Sequence, residues 1–244
     1  MWAPDVYQGA PTPVTAFMSV ATKAAAMAAA YRFYVFVLGN PQVSGLLKHE
    51  WIWLFWVLAL VSMVFGNLMA IAQTDIKRML AYSGIAQAGY LLCTMQIGGL
   101  GGAKILLFYL IAYTFMNFGA FAAASGLEED GCELTLEGLK GCVSTHPIYT
   151  TSLAVCLVGL TGLPLTGGFL GKFQILGGLL GSANGRSTNT LAVVLIALVA
   201  ATFWFARRLA RPLSDLANAV DKVALGKRPD PLPEDGPSEI ARVA

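Results

Sequence analysis

Long apolar stretches separated by short polar breaks run through most of the chain, and their lengths suit a bilayer crossing better than a soluble core helix. A window of about 19 residues places them near Pro13–Leu38, Trp51–Ala72, Met79–Ile97, Gly102–Gly126, Ile148–Gly181 and Thr190–Ala206. Six crossings put both ends of the chain on one side. Thr12-Pro13 suits a helix start, because proline is tolerated in the first turn, and Gly39-Asn40-Pro41 suits a stop. Trp51, Trp53 and Trp56 read as an interfacial aromatic belt. The expected fold is therefore an all-α, polytopic membrane helix bundle.

The fifth span is unlike the others. Gly162-Leu163-Pro164-Leu165-Thr166-Gly167-Gly168 interrupts it, and Lys172 follows inside the apolar remainder. Gly162, Pro164, Gly167 and Gly168 predict a broken helix. A break frees backbone carbonyls and amides that can hold water or a charge. An ammonium at bilayer depth faces a partner or a water-filled cavity, and so marks an ion or proton path.

A second lysine, Lys23, lies about ten residues into the first span, with Thr15, Ser19 and Thr22 on its helical face. Burial disfavours the charged form of a lysine, which makes reversible proton release feasible near neutral pH. A structural lysine bonded to a neighbouring helix is the plainer reading of the same residue. Lys104 sits close to its span's end and is expected to snorkel to the interface. Ser83, Gln87, Tyr90 and Thr94 on the third span and Tyr109, Tyr113 and Asn117 on the fourth recur at helical spacing. Each alone fits ordinary interhelical hydrogen bonding; together, beside two lysines, they suggest a supporting polar relay.

Composition narrows the class further. With 56% hydrophobic and 12% charged residues the chain's solvent is the bilayer, and a net charge of +2 without a basic stripe gives nucleic acid no surface. The opening Met1-Trp2-Ala3-Pro4-Asp5 lacks a signal-like pattern, so insertion is expected to rely on the spans themselves. Lys77, Arg78, Arg207, Arg208 and Arg211 fall on the side of the termini, against Lys48, Lys104 and Arg186 opposite, which predicts cytoplasmic ends. The intervening loop Leu127–His146 is acidic, and Leu134–Leu139 within it reads as a short interfacial helix. Cys93, Cys132, Cys142 and Cys156 lack metal-ligand spacing and read as ordinary thiols. His49 and His146 read as solvated or capping residues rather than metal ligands. No catalytic Ser/His/Asp pattern, P-loop, dinucleotide fingerprint or pair of intramembrane carboxylates is visible, so soluble-enzyme chemistry and a cofactor or metal in this chain are not expected.

Trp2-Ala3-Pro4-Asp5-Val6-Tyr7-Gln8-Gly9-Ala10-Pro11-Thr12-Pro13-Val14-Thr15-Ala16-Phe17, followed by Lys23, closely resembles the antiporter-like subunit N family of proton-pumping NADH–quinone oxidoreductase, respiratory complex I. The resemblance continues through Asp75–Ser83, Gly89-Tyr90, the stretch from Phe108-Tyr109-Leu110 to Asn117–Phe121, and Gly162-Leu163-Pro164 to Phe169-Leu170-Gly171-Lys172-Phe173. It covers about residues 1–181. It implies that Lys23 is the central-axis lysine and Lys172 the lysine of the second repeat's broken helix. It further implies a bacterial inner (plasma) membrane location, other membrane subunits of complex I as partners, and redox chemistry held by those subunits. Gln87 stands where many members carry histidine, and glutamine does not titrate. A first repeat, with the glutamate and lysine of the uptake half-channel, would lie upstream of Met1.

Composition changes at Gly181–Asn189, and residues 182–206 read as a junction with the last span. Beyond it, Leu209, Leu213, Leu216, Val220 and Val223 form a coiled-coil seam. With Gly226, the Pro229–Pro233 connector and Gly236-Pro237-Ser238-Glu239-Ile240, residues 207–244 resemble a HAMP signalling module whose second helix is cut at Ala244. HAMP resemblance implies a homodimer; the alternative is an amphipathic helix on the membrane. The leading expectation is a fragment of a proton-translocating membrane subunit, inactive in isolation. The alternatives are a membrane fragment of a signalling histidine kinase or chemoreceptor, and an Mrp-type cation/proton antiporter subunit.

Overall fold

The computed structural model describes residues 2–38, 41–142 and 145–181, with the side chains at 38, 41–50, 140 and 141 outside that description. The chain divides into two compact units, Met1–Trp204 and Phe205–Ala244, and all described residues belong to the first. The sixth predicted span, the HAMP-like seam and the side chains of Lys48 and His49 lie outside that description.

The helices are α1 (Ala3–Gly9), α2 (Thr12–Phe33), α3 (Pro41–Ile71), α4 (Ile76–Ile97), α5 (Gly99–Glu129), α6 (Gly138–Cys142), α7 (Pro147–Thr161) and α8 (Gly167–Gly181). A π-helical turn over Tyr34–Leu38 extends α2. Among the described residues three helices are long and apolar enough to cross a membrane: Thr12–Val37, Trp51–Ile71 and Gly99–Glu129. The third predicted span, α4, is more polar than these because it carries Lys77, Arg78, Gln87, Thr94 and Gln96, four of them buried. It packs against α3 along its length and also meets α1, α5 and α8, so its polar groups face protein. The fifth span is two helices, α7 against α5 and α8 against both α5 and α4.

One end of the bundle is tied by polar contacts. Asp75 caps α4 by accepting from the Arg78 amide at 2.9 Å. Arg78 reaches Asp5 at 3.2 Å and Gln8 at 3.1 Å, fastening α1 to that end. Thr135 pairs with Asp75 in an isolated antiparallel bridge, supported by Ile76 N to Leu134 O at 2.9 Å and Leu136 N to Thr74 O at 3.0 Å. At the other end the Gln96 amide donates to Ile52 O at 3.0 Å and the Tyr31 hydroxyl to Gly99 O at 2.5 Å.

Two local expectations are corrected. Leu134–Glu137 is not helical, because its backbone groups are taken by the 74–76 segment, and the helical turn starts only at Gly138. Cys132 and Cys142 are not ordinary thiols: they form a disulfide with Cα atoms 6.3 Å apart. The bridge to Asp75 folds the loop back and α6 returns Cys142 toward Cys132, a juxtaposition that residue spacing does not reveal. Cys93 and Cys156 are free. His146 lies 3.0 Å from Asp130, latching the two ends of the same loop. Alkylation of the denatured, unreduced protein with a mass-tagged maleimide is expected to add two tags, and four after reduction, because two of the four cysteines are bridged.

Candidate functional site: two lysines in a buried polar layer

The break between α7 and α8 follows from backbone chemistry. The Leu160 carbonyl would normally accept from the amide four residues on, but that residue is Pro164, which has none. Thr161 is the last residue of α7, and Gly162 leaves the helix at φ 83°. Leu165, within the break, also has a positive φ of 79°. Two carbonyls are thus left at membrane depth, where water is scarce and unpaired polar groups are costly.

Lys172, on the first turns of α8, supplies their donor. Its Nζ lies 3.1 Å from Leu160 O and 2.9 Å from Thr161 O, and the residue is only 4% exposed. The negative end of the α7 dipole points at the same ammonium. The Tyr90 ring of α4 covers it, with Nζ 4.8 Å from the ring centroid. The Gln87 amide also donates to Leu160 O, at 3.0 Å, and its oxygen accepts from the Tyr109 hydroxyl. One carbonyl therefore joins Lys172, Gln87 and, through Gln87, Tyr109.

Lys23 is held one turn along α5. Its Nζ donates to the Tyr113 hydroxyl at 2.9 Å and lies 5.4 Å from that ring's centroid and 6.0 Å from that of Tyr7. It occupies the space a side chain at Gly84 would fill, since a Cβ there would clash with Nζ. The Asn117 amide donates to Ser19 Oγ at 2.6 Å, tying α5 to α2 beside the lysine. Tyr109, Tyr113 and Asn117 thus recur along one face of α5 and meet both lysine sites.

Among the described residues no carboxylate pairs with either lysine; the ion pairs involve Lys77, Arg78 and His146. Each ammonium rests on neutral groups, Lys172 on two carbonyls and the Tyr90 ring, Lys23 on the Tyr113 phenol and the rings of Tyr7 and Tyr113. Its deprotonation strands no buried counter-charge, unlike loss of one partner from a buried ion pair.

The predicted relay residues divide. Gln87, Tyr90, Tyr109, Tyr113 and Asn117 come together around the lysines. Ser83 is half-buried and joined to neither by a hydrogen bond among the described residues. Thr22 departs from the predicted seam: it is exposed and bonds back to Met18 O. Lys104 is exposed, as snorkelling requires. Sequence reading missed a surface cluster in which buried Lys77 donates to Glu128 at 2.8 Å and the Thr12 hydroxyl donates to the same carboxylate. In the sequence Lys77 reads as a loop charge and Glu128 as part of an acidic loop, and their separation along the chain hides the pair. The sharing of Leu160 O was missed too, though Pro164 four residues beyond it was a legible sign.

The molecule is thus a membrane helix bundle with two lysines, Lys172 buried at a broken helix and Lys23 half-buried on α2, that have no carboxylate partner among the described residues. Residues 1–204 match the family described as NADH:quinone oxidoreductase/Mrp antiporter, TM, and residues 204–244 match the HAMP domain. NADH-quinone oxidoreductase subunit N 2 of Sorangium cellulosum is 42% identical over 210 residues, spanning 86% of this chain and 42% of that protein. NADH-quinone oxidoreductase subunit N of Salinibacter ruber is 47% identical over 178 residues, spanning 72% of this chain and 34% of its own. Respiratory complex I from Thermus thermophilus with bound aureothin contains a chain that superposes with a TM-score of 0.63 at 35% identity, over 84% of this chain and 43% of that one. The chain belongs to the NADH:quinone oxidoreductase/Mrp antiporter transmembrane family, resembles subunit N over most of its length, and carries a HAMP-type region. It spans less than half the length of these relatives.

Gly162→Ala forces a side chain into left-handed backbone, costing about 1–2 kcal/mol, and places a Cβ 3.2 Å from Lys172 Nζ. The variant is expected to unfold at lower temperature than the parent in detergent; an unchanged midpoint would show that the break is not held as described.

Proposed function

We propose that this chain is part of the proton-translocating membrane domain of an NADH–quinone oxidoreductase, with Lys172 and Lys23 as the proton-carrying groups. The observation that carries the reading is the Lys172 ammonium resting on two carbonyls released by the helix break, with no carboxylate partner among the described residues. The names of its relatives support the same reading.

In this mechanism a proton on Lys172 is stabilised by Leu160 O, Thr161 O and the Tyr90 ring. A positive charge arriving nearby destabilises it, and the proton leaves to water. Tyr109 and Tyr113, one turn apart, orient water between Gln87 and Lys23, since a phenol both donates and accepts. Gln87 fixes the geometry of the Lys172 carbonyl and carries no proton itself. Redox chemistry belongs to other subunits, and the chain works only with them. Residues 1–181 form the translocating part, 182–206 the junction and last span, and 207–244 a HAMP-like module suited to homodimer contact. The surrounding lipid is that of a bacterial inner membrane.

Both termini are assigned to the cytoplasm by the placement of Lys and Arg. The disulfide loop lies at the same end of the bundle as α1 and Arg78, and disulfides persist chiefly outside the cytoplasm. The two rules oppose each other at this face. Side-specific alkylation of sealed vesicles at an engineered Gln8→Cys decides between them: reaction from the cytoplasmic side is expected, and reaction from the opposite side alone would invert the assignment.

Lys172→Ala and Lys23→Ala, each made in the gene as its host expresses it, are expected to abolish NADH-driven acidification of inverted membrane vesicles while the protein still assembles in the membrane. Undiminished acidification by either variant would remove that lysine from the proton path.

A further inference from the structure

The loop between α5 and α7 holds chemistry that the lysine sites do not use. Its Cys132–Cys142 disulfide joins residues ten apart in sequence and brackets residues 134–136, the segment that pairs with the start of α4. That pairing rests on two backbone hydrogen bonds, Ile76 N to Leu134 O at 2.9 Å and Leu136 N to Thr74 O at 3.0 Å. Leu134 is the one buried side chain between residues 130 and 146 among the described residues, so apolar packing holds the segment only lightly. The covalent bond fixes both of its ends. Cys132 and Cys142 are each half-buried, unlike the buried Cys93, and they share the loop with the exposed carboxylates of Glu129, Asp130, Glu133 and Glu137.

We propose that Cys132 and Cys142 form a reversible site of exchange with a cytoplasmic dithiol protein, and that reduction frees residues 134–136 from the start of α4. The inference rests on the cytoplasmic assignment of this face under the proposed function. A disulfide in a reducing compartment is transient and redox-sensing rather than a permanent staple, which reconciles the bond with the placement of Lys and Arg. A thiolate of the partner attacks one half-buried sulfur, giving a mixed disulfide and releasing the other cysteine as a thiolate that takes up a proton. The partner's second thiol then loses its proton, attacks the mixed disulfide and releases the remaining cysteine. The partner ends as a disulfide and the loop as two thiols, with two electrons and two protons passed. A single thiol does this poorly. The Cα atoms of Cys132 and Cys142 are only 6.3 Å apart, so the freed cysteine lies beside the mixed disulfide and expels a monothiol, whereas a dithiol resolves it first. The exposed carboxylates of the loop also repel an anionic small thiol such as glutathione. Once the bond is open, the chain alone joins the ends of the segment, and Thr135 is released from Asp75, the cap of α4.

The test uses the full chain in native membrane vesicles, inverted and right-side-out. Pre-reduced thioredoxin, a dithiol protein that does not cross membranes, is added outside, and thiols are counted after acid quenching and denaturation with a mass-tagged maleimide. The expected result is a change from two tags to four in inverted vesicles alone. Two tags throughout, or four only in right-side-out vesicles, overturns the proposal. Glutathione at equal thiol concentration is expected to act about tenfold more slowly; equal rates overturn the choice of a dithiol partner. Hydrogen exchange at the Ile76 and Leu136 amides is expected to quicken about tenfold on reduction; unchanged exchange overturns the release of the loop. The Cys132→Ser, Cys142→Ser double variant is expected to exchange at the fast rate with or without thioredoxin, and a slow rate in it overturns the release as well. Gln8→Cys labelled from the cytoplasmic side together with two tags throughout would sink the exchange site and leave the proposed function standing. Four tags in inverted vesicles with undiminished acidification in Lys172→Ala and Lys23→Ala would do the reverse.

Discussion

A carbonyl without its backbone donor organises the interior of this molecule. Pro164 cannot supply the amide that Leu160 O would receive in a continuous helix, and the site lies where lipid surrounds the bundle. Lys172 and Gln87 both turn to that oxygen. The break is therefore not a defect tolerated by the fold: it creates the acceptor that holds a charge at depth. The short helices on either side, α7 and α8, are anchored against α5, so the acceptor and the ammonium are positioned by the same neighbour.

From that oxygen the polar layer spreads through α4 and α5, the two helices that touch most of the others. Gln87 passes the constraint to Tyr109, and one turn further Tyr113 holds Lys23. Apolar packing closes around each end: Tyr109 belongs with Tyr90, Leu106 and Ile175, and Tyr113 with Leu80, Phe121 and Leu160. The phenols serve both as packing volume and as hydrogen-bonding groups, which lets polar chemistry sit in an otherwise dry interior. Among the described residues both ammonium groups have neutral surroundings, so loss of a proton would leave no partner charge unpaired.

The length of the apolar runs made the described membrane helices legible, and the Gly/Pro interruption followed by lysine made the broken fifth span legible, because both depend on local composition. Lys23 and Lys172 stood out for the same reason. Contacts distant in sequence were not legible. The Lys77–Glu128 pair, the Cys132–Cys142 bond and the Asp75–Thr135 bridge all depend on how the 127–146 loop returns to the start of α4. Thr22 illustrates a subtler limit: helical spacing predicts it on the seam with Thr15 and Ser19, but it is exposed and bonds back to its own helix. Thr12, a helix-start residue one turn before Thr15, completes the buried face instead.

The most direct test of the shared carbonyl is a double-mutant cycle on Gln87→Leu and Lys172→Met, read as unfolding free energy in detergent. If both side chains depend on Leu160 O, removing either one changes what the other gains from it, and the two losses are non-additive by about 1 kcal/mol or more. Losses that add within about 0.3 kcal/mol would mean that Gln87 and Lys172 are independent, and that the break does not organise the site.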